Sequence, residues 1–123
     1  MRYVNVSHFG WLPILDRMLR PHSDVDIVVH SSWREVYNEA ELRDMLPEMG
    51  DRIVGVTSPG LERYESILRW LQDHSEYLSF RILDDDESEF PSPPPEELIL
   101  CEPSEGLTGA AVQAKLKAWL DAH

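Results

Sequence analysis

Residues 78–86, Leu-Ser-Phe-Arg-Ile-Leu-Asp-Asp-Asp, are a largely apolar run that ends in three consecutive carboxylates. Three adjacent anions repel one another, and the repulsion grows as the local dielectric constant falls. In open α/β sheets, ligands and metals bind at the carboxyl ends of strands, and carboxylate oxygens suit a hard cation such as Mg²⁺. The alternative is a solvated acidic turn, because Glu87 and Glu89 continue the acidic stretch. The stretch alone leaves both interpretations open.

The composition predicts one acidic domain spanning residues 1–123. The chain has 123 residues, 42% of them hydrophobic, which is enough for a buried core. Its net charge of −12, from 23 acidic and 11 basic residues, argues against non-specific nucleic-acid binding and against an anionic membrane surface. The single Cys101 cannot form an internal disulfide. With no signal peptide and no long apolar run in the sequence, we expect a cytoplasmic protein.

Apolar segments of strand and helix type alternate along the chain. Strands are predicted at 25–30, 52–56, 78–83 and 97–101, and a weaker one at 2–6. Helices are predicted from Gly10 to Pro21, over 39–46 and 61–73, and from Gly106 to about Leu120 with Thr108 as N-cap. This alternation predicts an α/β fold, a Rossmann-like and mostly parallel sheet with helices on both faces.

Polar side chains follow two of these strands. Ser31 and Ser32 come just past strand 25–30, where hydroxyl groups and free N–H groups can bind an oxyanion or simply cap the next helix. Because parallel strands end at one edge of a sheet, these serines and Asp84 can converge there. Arg63 stands in the first turn of a predicted helix, where the helix dipole disfavours a cation. That position hints at a partner for Arg63, although an exposed helix arginine is the ordinary alternative.

Six segments, in their order and spacing, resemble the haloacid dehalogenase-like (HAD-like) hydrolase superfamily. They are Phe9-Gly-Trp-Leu-Pro-Ile-Leu15, Val25-Asp-Ile-Val-Val-His-Ser-Ser-Trp-Arg34, Arg52-Ile-Val-Gly-Val-Thr57, Arg63 with Ile67 and Trp70-Leu71, Leu83–Asp86, and Gly106-Leu-Thr108. The resemblance is closest to small bacterial HAD-domain proteins, including those associated with RNA-repair systems. It runs from about Phe9 to the C-terminus.

The resemblance implies a role for five residues. Ser31, or else Ser32, matches the second-motif hydroxyl that hydrogen-bonds the transferring phosphoryl group. Arg63 falls near the third-motif cation, which is usually lysine in the family. Asp84 and Asp85 match the fourth-motif acids that hold Mg²⁺, and Asp86 would be their exposed neighbour. The implied site therefore binds phosphate through Ser31, Ser32 and Arg63, and binds magnesium through Asp84 and Asp85.

The first motif of the family is missing. That motif is a strand ending in Asp-x-Asp-Gly, whose first Asp is the nucleophile and whose second is the general acid/base. The first acidic residue of this chain is Asp16, inside a predicted helix, so no catalytic nucleophile is identified. In relatives the Trp-Leu-Pro helix follows this motif, and we therefore expect the chain to begin downstream of it.

Three explanations follow. The domain is naturally degenerate, or it is N-terminally incomplete, or residues 2–6 occupy the central strand position without a nucleophile. The last would leave no unpaired edge in the middle of the sheet, and a homodimer would be another way to cover such an edge.

Three functions remain in view. The favoured one is a non-catalytic HAD-like domain that binds a phosphorylated small molecule or a partner protein, because loss of a nucleophile removes many orders of magnitude of rate. The second is an active Mg²⁺-dependent phosphohydrolase, and the third is a purely structural or protein-interaction domain. The five histidines show no metal-ligand spacing, and Cys101 has the sequence context of an inert core thiol.

Overall fold

The computed structural model describes residues 1–7, 11–29, 52–57 and 61–122. Within these ranges the strands are β1 (Arg2–Val6), β2 (Val25–Val29), β3 (Ile53–Val56), β4 (Ser79–Asp84) and β5 (Leu98–Leu100). The helices are α1 (Leu12–Leu19), α2 (Arg63–Asp73) and α3 (Ala110–Asp121), with a short 3-10 helix at Glu87–Glu89. The predicted helix over 39–46 lies outside the described residues.

The five strands form one parallel sheet in the order β3-β2-β1-β4-β5. The central strand is β1, which pairs with β2 from Arg2↔Val25 to Val6↔Val29 and with β4 from Arg2↔Ser79 to Val6↔Leu83. The predicted Rossmann-like α/β fold is therefore confirmed. Of the three explanations for the missing motif, the structure agrees with the one that places residues 2–6 at the centre of the sheet.

One face of the sheet packs against α1 and α3. Because successive side chains of a strand point to opposite faces, Val4 and Val6 of β1 both lie on this side. They pack in a core with the apolar stripes of the two helices, which are Leu12, Leu15 and Leu19 of α1 and Val112, Leu116, Trp119 and Leu120 of α3. Pro13 is at a position of the first turn of α1 where its missing N–H is harmless.

The other face packs against α2 through aromatic rings. Tyr3 of β1 stacks on Phe80 of β4 with centroids 5.3 Å apart and meets the edge of Trp70 of α2 at 4.8 Å. Tyr77 adjoins the same group at 5.3 Å from Tyr3, and its hydroxyl donates to Asp26. The alternation along β1 therefore places Tyr3 and Asn5 on the α2 side, as well as Ser7 just beyond the strand.

Several boundaries differ from the sequence prediction. The last helix begins at Ala110 with Gly109 as N-cap, whereas Thr108 donates its hydroxyl proton to the Glu105 carbonyl in the preceding turn. Gly106 takes a positive φ of 54° in that turn, a conformation that disfavours other residues. Leu78 lies before β4 and is 86% exposed, so it does not belong to the buried run. None of the helices within the described ranges has the length and apolar character needed to cross a bilayer.

Candidate functional site

The carboxyl ends of β1 and β4 bring Ser7 and Asp84 side by side. Val6 pairs with Leu83, so the next residue of each strand lies at the same edge of the sheet. Ser7 donates its Oγ hydrogen to the carbonyl oxygen of Leu83 at 3.3 Å. Asp84 is the last residue of β4 and is only 1% exposed. This edge therefore carries a hydroxyl on the central strand and a buried carboxylate on its neighbour.

Arg63 is the partner of that buried carboxylate. It is the first residue of α2, whose N-cap Glu62 makes no side-chain capping bond. Its Nη1 atom lies 3.0 Å and 2.9 Å from the two carboxylate oxygens of Asp84. The hint that a cation in a first turn has a partner is therefore confirmed, since an ion pair at this depth offsets the unfavourable helix-dipole position.

The three consecutive aspartates play different structural roles. The backbone N–H of Asp86 donates to Asp84 Oδ1 at 3.0 Å, which gives Asp84 a third donor contact. Asp86 accepts from the backbone N–H of Ser88 at 3.1 Å and from its hydroxyl at 2.5 Å. These bonds, the Ser88 hydroxyl first, lower the pKa of Asp86. Asp86 is thus the cap of the short 3-10 helix, and the acidic-turn interpretation holds for Asp86 rather than for Asp84.

Two buried N–H donors on the α2 side of this edge have no hydrogen-bond partner among the described residues. They are Nδ2 of Asn5 and Nε of Arg63. Asn5 lies two residues before Ser7 on β1 and pairs with Ile82, which lies two residues before Asp84. A buried donor without an acceptor costs about 1–3 kcal/mol. Such donors are therefore suited to an acceptor that binds from outside, such as an oxyanion or a water molecule.

Cys101 lies against the same strand end with its thiol buried. Its backbone N–H donates to the Asp84 carbonyl at 2.7 Å, and its side chain is buried. Burial raises the pKa of the thiol to about 12, with a further contribution from the negative charges of Asp84 and Asp85. The predicted position of this thiol in the core is confirmed, and its raised pKa disfavours the reactive thiolate form.

A magnesium ion does not fit the described residues as they stand. Both side-chain oxygens of Asp84 accept from the Arg63 guanidinium, and Mg²⁺ needs free oxygen ligands at close range. Across residues 1–7, 11–29, 52–57 and 61–122 there is no group of three or more His, Cys, Asp or Glu side chains able to hold a metal ion.

The structure places three of the five predicted site residues. Arg63 and Asp84 meet, and Asp85 follows Asp84 at the strand end with a partly buried side chain. Ser31 and Ser32 lie outside the described residues, although the strand before them, β2, ends at Val29 in register with Val6.

Ser7 and Asn5 are residues that sequence reasoning missed, because β1 was the weakest strand prediction. One signal could have revealed Ser7: Gly10 follows it by three residues, which is the spacing of Asp-x-Asp-Gly.

Comparison with known proteins identifies the family. The model of the HAD domain in Swiss Army Knife RNA repair proteins matches residues 2–112, which is most of the chain. No curated protein and no solved structure matches. The match starts at residue 2, so β1 lies within the matched region. The chain belongs to the family of HAD domains of Swiss Army Knife RNA repair proteins.

Proposed function

We propose that this chain is a degenerate HAD-like domain that does not transfer phosphoryl groups. One observation carries the proposal. The central strand is followed by Ser7-His8-Phe9-Gly10, so Ser7 and Phe9 stand where the first motif has its two aspartates. A serine is a weak nucleophile unless a base takes its proton, and its hydroxyl does not replace the carboxylate that the family's covalent step requires.

The second part of the proposal is that the site retains binding of a phosphorylated small molecule or a phosphorylated partner. Support comes from the unpartnered Nδ2 of Asn5 and Nε of Arg63 on one side of the strand ends. We also propose that Ser31 and Ser32 contribute hydroxyl groups, because β2 ends at the same edge as β1. The HAD family generally uses Mg²⁺, and Asp84 and Asp85 would be its ligands here only if Arg63 were displaced.

The decisive assay is Mg²⁺-dependent hydrolysis of an aryl phosphate by the whole chain and by an Asp84→Asn/Asp85→Asn double variant. We expect the two proteins to give the same rate as buffer, because residues 7–10, directly after β1, include no carboxylate. Activity in the parent chain that disappears in the double variant would establish an active phosphohydrolase and overturn the proposal.

Ligand binding has its own test, with inorganic phosphate as the probe. We expect phosphate to raise the melting temperature of the parent chain and to lose most of this effect in Asn5→Leu, which removes the buried donor while keeping the side chain's size. Arg69→Met is the matched control, because Arg69 is an exposed cation on α2 whose pair with Asp73 spans 4.0 Å. Equal phosphate effects in all three proteins would contradict binding at this site.

We also propose a compartment, a binding preference and an oligomeric state for the domain. We place the domain in the cytoplasm, on the composition argument and on the single buried cysteine. We expect it to act without non-specific nucleic-acid binding, because a net charge of −12 repels phosphate backbones. A homodimer through an exposed sheet edge is the oligomer to look for, since β3 and β5 are the two outer strands of the described sheet.

A further inference from the structure

Asp84 carries a buried negative charge that other groups of the chain neutralise. Its carboxylate is 1% exposed, and a carboxylate at that depth costs several kcal/mol unless a counter-charge and hydrogen bonds satisfy it. Here both are supplied from within the chain. Arg63 Nη1 contacts both oxygens at 3.0 and 2.9 Å, and the Asp86 N–H contacts Oδ1 at 3.0 Å.

A divalent cation would need these same oxygen atoms. Mg²⁺ binds oxygen at about 2.0–2.1 Å and holds a nearly octahedral shell, which leaves no room for a guanidinium nitrogen centred on both oxygens. Two like charges held this close, one divalent, would also repel strongly in a site of low dielectric constant. The guanidinium and the metal ion are therefore alternatives at Asp84, not partners.

The helix position of Arg63 strengthens the argument. A cation at the first residue of α2 is disfavoured by the helix dipole, and Arg63 Nε is buried without a hydrogen-bond partner among the described residues. A surface role would allow the side chain to turn into solvent. Its inward position, despite both unfavourable features, indicates that neutralising Asp84 is what holds it there.

We propose that Arg63 is a resident cation that takes the place of the divalent metal at Asp84. The domain is then metal-independent, and removing the Arg63 guanidinium exposes a latent divalent-cation site. The guanidinium supplies one positive charge at the sheet edge permanently, whereas a metal ion would supply two only when bound. This property does not depend on whether the domain has any catalytic activity.

The test compares thermal unfolding in EDTA with unfolding in MgCl₂, and again with MnCl₂, at matched ionic strength. We expect the melting temperature of the parent chain to be the same in all three. Arg63→Met should melt lower in EDTA and should recover several degrees when either metal is added. Arg63→Met/Asp84→Asn should show no response to metal, and Arg69→Met should behave like the parent chain.

If Arg63→Met folds poorly, the proposal is tested instead by direct Mn²⁺ binding, measured by electron paramagnetic resonance. Arg63→Lys is the second variant, because a lysine keeps a charge but contacts carboxylate oxygens less extensively. We expect at least about tenfold tighter Mn²⁺ binding in Arg63→Lys than in the parent chain, which corresponds to about 1.4 kcal/mol. Mn²⁺ binding by the parent chain that Asp84→Asn abolishes would overturn the proposal, as would absence of a metal response in both Arg63 variants.

Discussion

Arg2 shows how a single charged residue can be tolerated at the start of a central strand. Only 4% of it is exposed, yet all three of its guanidinium nitrogens are hydrogen-bonded. Nε and Nη2 donate to Asp24 at 2.8 and 3.1 Å, and Nη1 donates to the carbonyls of Trp119 and Leu120 at 3.0 and 3.2 Å. Those carbonyls are at the C-terminal end of α3, where the helix dipole favours a cation.

The Arg2–Asp24 pair predicts a specific pH dependence. The hydrogen bond from Arg2 lowers the pKa of Asp24 below its ordinary value of 3.8. The carboxylate therefore stabilises the fold fully above pH 3.8, and this contribution is lost as the pH falls from there through the lower pKa of the folded state. We expect Asp24→Asn to reduce the free energy of unfolding by about 1 kcal/mol at pH 7, because the Asp24 side chain is half exposed.

Urea unfolding at pH 7 and at pH 3 measures this effect. The difference between Asp24→Asn and the parent chain should shrink at the lower pH. Asp73→Asn, in an exposed pair with Arg69, is the control and should change nothing at either pH. A difference that stays constant or grows on acidification would show that the charge of Asp24 is not the source of its stabilisation.

At the scale of elements, α2 rests on β3 through a contact that only glycine permits. A Cβ atom added to Gly55 would lie 2.6 Å from Trp70 Nε1 and 3.1 Å from Trp70 Cε2. We expect Gly55→Ala to lower the free energy of unfolding by about 1–3 kcal/mol, because the extra atom overpacks the contact. Chemical denaturation of the single variant measures this loss.

A double variant separates crowding from a general weakness of β3. Gly55→Ala/Trp70→Phe should lose less stability than the sum of the two single variants, since the smaller ring gives the new methyl group space. Additive losses would mean that the ring of Trp70 is not what Gly55 accommodates.

The elements also show where sequence reasoning succeeds and where it stops. Strands such as Val25–Val29 and helices such as Ala110–Asp121 carry apolar periodicity, so their existence was predictable, with ends that differ by at most one residue for this strand and four for this helix. Strand β1 was weak in sequence because Arg2 and Asn5 interrupt it, and only the distant partners of Arg2 explain the burial of that residue. For the site, the odd position of Arg63 was visible locally. The pairing of Arg63 with Asp84 and the bond from Ser7 to the Leu83 carbonyl depend on sheet order, and they could not be derived from spacing.

At the scale of the whole molecule, the net negative charge predicts that repulsion dominates the electrostatics. A chain with 23 acidic and 11 basic residues has a net charge of −12 at pH 7, and self-repulsion destabilises a compact state. Added salt screens exposed charges beyond about 8–10 Å. We therefore expect the melting temperature to rise by several degrees when NaCl is added to a low-salt buffer.

Differential scanning calorimetry at constant pH measures the salt effect. Sucrose at equal osmolarity is the control for solvent exclusion, and KCl should reproduce NaCl because screening depends on ionic strength alone. A melting temperature that falls with either salt would mean that the described ion pairs, rather than net repulsion, dominate the electrostatics.

The bond between Arg2 and the last turn of α3 has a consequence for biosynthesis. The second residue of the chain finds its carbonyl acceptors at residues 119 and 120, and its strand needs β4 along one side. During synthesis β1 is made before each of its partners, and β2 is made before β4 and α3. Nascent β1 can therefore pair early with β2, whereas its other edge waits for β4 and the Arg2 guanidinium waits for the last turn of α3. In that interval the unpaired edge of β1 is a place where another chain could pair.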